Sequence, residues 1–227
     1  MPPEHHLWQL HHTTLCPFSR TIRLVLSKRG LAYGLVVAVP ADLIAALKLG
    51  RDSRIPALRD RARGIRLVGS YSICEYLEET ASGPSMLLGS GEQRAEVRRL
   101  VAWADDCLYV PVTLPLQIAA FDAGPQPVRP SSVMIGVAAD FADMFIDEIG
   151  YLLDYRAWLA GPALSLADLA IAAHLSVLDY FGAVDWTGHG QAQTWYSVLK
   201  SRRSFQPLLA DRIEGIEPPG HYSKIDS

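Results

Sequence analysis

The chain is poor in cysteine and has no long apolar run, and both absences narrow what it can be. Its three cysteines, Cys16, Cys74 and Cys107, are an odd number at wide spacing in 227 residues, which fits reduced thiols rather than a disulfide framework. No uninterrupted apolar stretch approaches the roughly 18–20 residues that span a bilayer. Met1 to Glu4 also lacks the basic-then-apolar layout of a secretory signal. The expectation is a soluble, cytoplasmic protein with no membrane insertion. Gly and Pro number only 17 and 15, and 49% hydrophobic residues stand against 20% charged ones, which excludes disordered, collagen-like and low-complexity classes. A basic excess is missing too. The 21 Lys and Arg against 24 Asp and Glu leave a net charge of −3, and with no recognised module present nucleic-acid binding has no support.

That small net charge conceals two unlike parts. Up to Thr80 there are eleven Lys or Arg and seven Asp or Glu, whereas from Ala81 onward there are ten and seventeen. A basic region is joined to an acidic one. Between them runs TASGPSMLLGSGEQ, a Gly-, Ser- and Pro-rich connection. At about 150 residues per domain the length allows two small domains. The division expected is an α/β domain over 1–80, a linker over 81–92, an all-helical domain over 93–210 and a tail over 211–227.

Leu7 to Leu10 reads as a strand, with His11, His12 and two threonines forming a loop before Cys16. Pro17 suits a first helical turn, where its missing N–H is not needed, and Gly30 ends that helix. Further strands are expected at 33–39, at Ile55-Pro56-Ala57-Leu58 and at 65–68, with a short helix at 41–49 and another at 73–79. The order is β-α-β-α-β-β-α, a mixed sheet with helices.

The remainder reads as helical. Apolar residues recur at helical spacing through 95–108 and 137–153, and Pro111 and Pro115 are expected to kink or end the first of these helices. Ser165-Leu166-Ala167-Asp168 has the capping-box form and opens a helix with little polar face. Such a helix belongs at the centre of its domain. Short helices are expected at 195–200 and 207–212.

The candidate chemistry lies at Cys16-Pro17-Phe18-Ser19. A cysteine just ahead of a helix sits near unpaired amides and the positive end of the helix dipole, with Arg20 adding charge, so its thiolate is expected to be favoured. Ser19 stands where a dithiol motif has its second cysteine. Mixed disulfides with a small thiol are then the accessible redox chemistry. The same four residues also fit a small side chain packed at a strand–helix turn.

The three motifs C-P-F-S after the first strand, I-P at the third and G-S before the last helix of the first region resemble, in that order, the thioredoxin-like half of the glutathione S-transferase superfamily. S-L-A-D and its buried helix resemble the other half. The resemblance implies that Cys16 occupies the place of the family's catalytic Ser, Tyr or Cys, which contacts the glutathione sulfur. It implies that Pro56 is the family's cis-proline, with Ile55 pairing to the cysteinyl backbone of glutathione, and that Ser70 and the helix start hold the γ-glutamyl carboxylate. Phe18 and Gly69 complete the implied glutathione-binding positions. The family's usual Glu or Gln is replaced by Gly69.

WLAGPALSLADLAIAAHLSVLDYFG, TWYSVLKSRRSFQPLLADRIEGI and the ending PPGHYSKIDS resemble a branch of the superfamily made of alphaproteobacterial division proteins that bind FtsZ filaments. That resemblance implies a homodimer and a tail, over 221–227, in which His221, Tyr222 and Asp226 contact the partner. Two readings follow. In one, the protein is a glutathione-dependent transferase or thiol reductase acting at Cys16 on a small-molecule electrophile held in an interdomain cleft. In the other, the thiol site is idle and the dimer binds FtsZ through its tail.

Elsewhere the residues favour structural roles. His5, His6, His11 and His12 have no zinc-ligand spacing with cysteine, so no metal is assigned. His174 is expected as a hydrogen-bonded core histidine, and Cys74 and Cys107 as core thiols. Arg51, Arg54, Arg59, Arg61, Arg63 and Arg66 are diluted by Asp52 and Asp60 and read as a solvated hairpin.

Overall fold

The computed structural model describes residues 6–37, 55–122, 124 and 126–224. It divides into two units, Met1–Ser85 and Met86–Ser227. The short helix expected at 41–49, together with Arg51, Arg54, His5 and Asp226, lies outside the described residues.

In the first unit four strands, β1 (Trp8–His12), β2 (Tyr33–Val37), β3 (Ala57–Asp60) and β4 (Ile65–Val68), form one sheet in the order β2–β1–β3–β4. β1 runs parallel to β2 and antiparallel to β3, which pairs antiparallel with β4. His11 and His12 extend β1 instead of opening a loop, because each has a partner on β2, Val36 and Val37. On β3, Leu58 and Asp60 are buried and the intervening Arg59 is exposed, the period of two that one packed face requires.

Two helices accompany the sheet. α1 (Pro17–Lys28) buries Ile22, Leu24, Val25 and Leu26, and α2 (Ser70–Thr80) buries Ile73, Cys74 and Leu77. The Tyr76 hydroxyl donates to Asp60 at 2.8 Å, as do the Arg63 amide and guanidinium, fixing α2 to the hairpin. Arg29, just past α1, is a second tie. Its guanidinium donates to Glu78 at 2.9 Å and to the carbonyls of Ala81, Ser82 and Pro84. The end of α2 and the connection beyond it are thereby satisfied by one buried side chain. A Cβ on Gly83 would stand 2.9 Å from the Arg29 carbonyl, at a φ of +110°, so only glycine lets the chain pass there.

The second unit is helical. α3 (Gly91–Ala104) starts with a capping box in which Ser90 and Gln93 exchange hydrogen bonds. Pro111 does not end this helix. Residues Asp105–Thr113 widen into a π-helical segment that leads into α4 (Leu114–Phe121). The Leu114 amide bonds the Tyr109 carbonyl five residues back, and the wider turn relieves the clash that a proline ring makes with the carbonyl four residues before it. Cys107, expected in the core, faces outward on this segment.

α5 (Ser132–Tyr155) is followed by α6 (Leu166–Phe181), whose sixteen residues are all buried. The central position expected of α6 holds, and its start is anchored by Asp168. α7 (Gly190–Lys200) and α8 (Gln206–Leu209) complete the unit. Arg129 closes the far end of α6 by donating to the Phe181 carbonyl at 2.7 Å and to the Glu217 carbonyl, a cation at a helix C-terminus. Among the described residues no helix is long and apolar enough to cross a membrane.

Candidate functional site

Strand register brings the three sequence motifs to one edge of the sheet. His11 near the end of β1 pairs with Ala57 at the start of β3, and Ala57 pairs with Val68 at the end of β4. The loop to Cys16 therefore leaves the same edge at which Ile55-Pro56 arrives and Gly69-Ser70 departs. The Ile55–Pro56 peptide is cis, and the Gly69 amide donates to the Pro56 carbonyl at 2.9 Å, joining two of the motifs directly.

Cys16 is the N-cap residue of α1, with extended backbone angles and a carbonyl that accepts from the Arg20 amide at 3.0 Å. Its side chain is 5% exposed. Burial pushes the thiol above the ordinary cysteine value, and the Ser19 hydroxyl and amide, the Phe18 amide and the Thr13 hydroxyl pull it back only in part. The thiolate expected from the helix terminus is thus corrected by the structure. Desolvation of the charged form outweighs the dipole and the nearby donors, and Cys16 is held as an un-ionised thiol. Arg20, expected to supply charge, is fully buried and spends its Nε on the Thr14 carbonyl at 2.9 Å.

The hydroxyls of Thr13 and Ser19 are buried beside the Cys16 sulfur and bond it. The sequence held the signal for both, since Thr13 precedes and Ser19 follows Cys16 by three residues. Ser19 was readable there only as the missing second cysteine.

Gly69 caps α2 with φ +90° and ψ 142°, a region open to glycine and costly for other residues. Ser70 occupies the first turn of α2, where amides lack intrahelical acceptors, and is half-buried. Burial pushes the His11 imidazole below its ordinary value, with Arg66 and Arg59 acting in the same direction. Among the described residues no group of His, Cys, Asp and Glu could hold a metal ion.

The tail residues lie in the helical unit. Tyr222 is fully buried, donates to the Leu208 carbonyl at 2.9 Å and meets the Tyr180 ring edge-on. His221 contacts Asp179 at 3.0 Å through Nε2, and Asp179, buried on α6, also faces the Lys200 ammonium at 3.6 Å and the Tyr196 hydroxyl. Nothing in the apolar pattern of α6 marked Asp179 or Lys200 as a buried pair. His174 is the buried, bonded histidine expected, 3.0 Å from Asp105.

Comparison with known proteins agrees with this geometry. Residues 10–85 match the family of glutathione S-transferase N-terminal domains. FtsZ-localized protein A of Caulobacter vibrioides is 33% identical over 96% of this chain and 97% of that protein. Among solved structures, a glutathione S-transferase from Rhodospirillum rubrum is 37% identical with a TM-score of 0.85, covering 97% of this chain and all of that one. FzlA from C. crescentus is 34% identical with a TM-score of 0.84, covering 97% and 99%. The chain belongs to the glutathione S-transferase superfamily, in the branch that contains FzlA.

Proposed function

We propose that the protein is a glutathione-dependent transferase in which the un-ionised Cys16 thiol donates a hydrogen bond to the sulfur of glutathione and favours its thiolate. The observation that carries this reading is the buried Cys16 S–H at the start of α1, with the Thr13 and Ser19 hydroxyls beside it. The backbone at Ile55 and cis-Pro56 would hold the cysteinyl part of the tripeptide. Ser70 and the first turn of α2 would receive the γ-glutamyl carboxylate at the positive end of the helix. The Phe18 amide, aimed at the Cys16 sulfur, would help fix the thiol. Gly69 contributes no side chain, so the carboxylate depends on Ser70.

When bound, glutathione supplies a nucleophilic sulfur: a C–S bond forms at the electrophilic carbon as the leaving group departs with its electron pair. The raised thiol pKa favours this donor role for Cys16 over mixed-disulfide exchange, in which the cysteine itself must be the thiolate. Cys16→Ser keeps a donor and should retain conjugation of an activated aryl halide, whereas Cys16→Ala should lose it. Equal loss in both variants would count against donation.

The near full-length likeness to FtsZ-localized protein A favours a second reading, a cytoplasmic division protein acting as a homodimer that binds FtsZ. A stripe of exposed Val133, Val137, Met144, Tyr151 and Tyr155 along α5 would supply apolar contact area to a second copy. His221 and Tyr222 would anchor the tail, leaving Asp226 as the acidic contact. Removing 225–227 spares the buried Tyr222, so loss of co-sedimentation with FtsZ polymers on that truncation would support this reading, and unchanged pelleting would refute it.

A further inference from the structure

Residues paired across a sheet share a face, so register sorts the side chains of the first unit. Trp8, Leu10, Leu58, Asp60 and Leu67 stand on one face, and Gln9, His11, Arg59 and Arg66 on the other. Asp60, which dilutes the arginines in the sequence, is therefore on the far side, where Tyr76 and Arg63 already occupy its carboxylate. Among the described strand residues the second face carries no carboxylate.

Arg59 and Arg66 stand directly opposite each other on β3 and β4, and both are exposed. Like charges so placed are destabilising, and neither guanidinium makes a hydrogen bond or ion pair among the described residues. The Arg61 guanidinium reaches the same face, donating to Gln9 Oε1 at 3.4 Å. Burial disfavours the charged form of His11, and Arg66 and Arg59 act on it in the same direction. β4 is an outer strand of the sheet, so no further strand among the described residues covers Arg66 from that side. An anion arriving from outside would turn the repulsion into attraction.

The charge distribution selects the kind of anion. Guanidinium forks match carboxylates bidentately. A polyanion extending past the hairpin, such as a nucleic acid or a lipid surface, also meets the remainder of a chain whose net charge is −3. A short segment feels only the local field, since the Debye length is about 8 Å at physiological ionic strength.

We propose that the Arg59–Arg66 face of the sheet docks a short acidic peptide segment of a partner protein, its carboxylates bridging the two guanidiniums with Arg61 beside them. The proposal depends neither on the chemistry at Cys16 nor on the tail.

The probe is fluorescein-labelled hexaglutamate, followed by fluorescence anisotropy as the full chain is added, with labelled hexaglutamine as the uncharged control. Saturable hexaglutamate binding is expected at about 20 mM salt, weakening at least about tenfold by about 200 mM. Hexaglutamine should not bind. Arg59→Gln with Arg66→Gln should lose at least about tenfold in affinity, the scale of two exposed charge pairs, while Arg94→Gln on α3 binds as the parent does. The double variant should also melt at or above the parent temperature because a repulsion is removed, which separates lost docking from a lost fold. Four results would overturn the proposal: undiminished hexaglutamate binding in the double variant, tighter binding of a single-stranded thymidine dodecamer than of hexaglutamate, pelleting with phosphatidylglycerol vesicles that the double variant loses, or self-association that it loses. The last three would give the face to a nucleic acid, a lipid surface or a second copy.

Discussion

Asp168 is the residue whose removal should cost the helical unit most. Its carboxylate is fully buried and accepts from the Leu159 amide at 3.0 Å, the Ser165 amide at 2.9 Å, the Ser165 hydroxyl at 2.9 Å and the Trp195 indole at 3.0 Å. In Asp168→Ala the hydroxyl can turn elsewhere, but three N–H donors lose their acceptor inside the protein. At roughly 1–1.5 kcal/mol for each orphaned donor, the low end for buried groups, the loss is about 3–4 kcal/mol. Breaking one side of a buried charge–donor set costs a similar amount. For a chain of this size about 1 kcal/mol moves the melting midpoint by about 2–4 °C, so a drop of roughly 10 °C is expected in thermal unfolding followed by far-ultraviolet circular dichroism. Asp168→Asn keeps one acceptor and should recover part of it. A drop under about 3 °C in the alanine variant, or an asparagine variant less stable than alanine, would refute the reasoning.

Arg29→Ala should release the end of α2 by leaving Glu78 and three carbonyls without their common donor, a loss of about 3 kcal/mol; limited proteolysis should cut near residue 83 in the variant and not in the parent. The hydrogen bond from His221 to Asp179 raises the imidazole pKa above 6.5. Tail docking should therefore be fully stabilised below pH 6.5 and weaken as pH rises through the raised value, a trend in thermal melts that His221→Gln should erase. Glu96 is pulled down to about 2, chiefly by Arg99, with Arg156 also contributing against the opposing effect of burial. Its contribution should be complete above about pH 4.5 and fade only as pH falls toward 2, and Glu96→Gln should flatten that acid limb in denaturation curves. Alkylation of Cys16 by iodoacetamide should titrate with a midpoint above that of free cysteine, about 8.5; a lower midpoint would restore the thiolate reading.

Features set by local rules were legible in the sequence. The capping box at Ser165 and Asp168, the proline at the start of α1 and the burial of α6 follow from neighbouring residues alone. β1 was cut short because His11 and His12 are strand residues only through their pairing with β2, a contact that local propensity does not carry. Pro111 misled because a lone proline does not reveal that the helix will widen around it. The thiol motif was visible, but its ionisation was not: spacing shows a cysteine beside a helix start, whereas its pKa depends on how deeply the fold buries it. Buried partners far apart in sequence, such as Arg29 with Glu78 and Asp179 with Lys200 and His221, left no periodic trace.

Calorimetric titration of glutathione into the parent, Cys16→Ser and Ser70→Ala tests the central claim most directly. Saturable heat is predicted for the parent and for Cys16→Ser, with affinity at least about tenfold weaker in Ser70→Ala, the scale of a lost hydrogen bond to a charged group. No heat with the parent protein would contradict it.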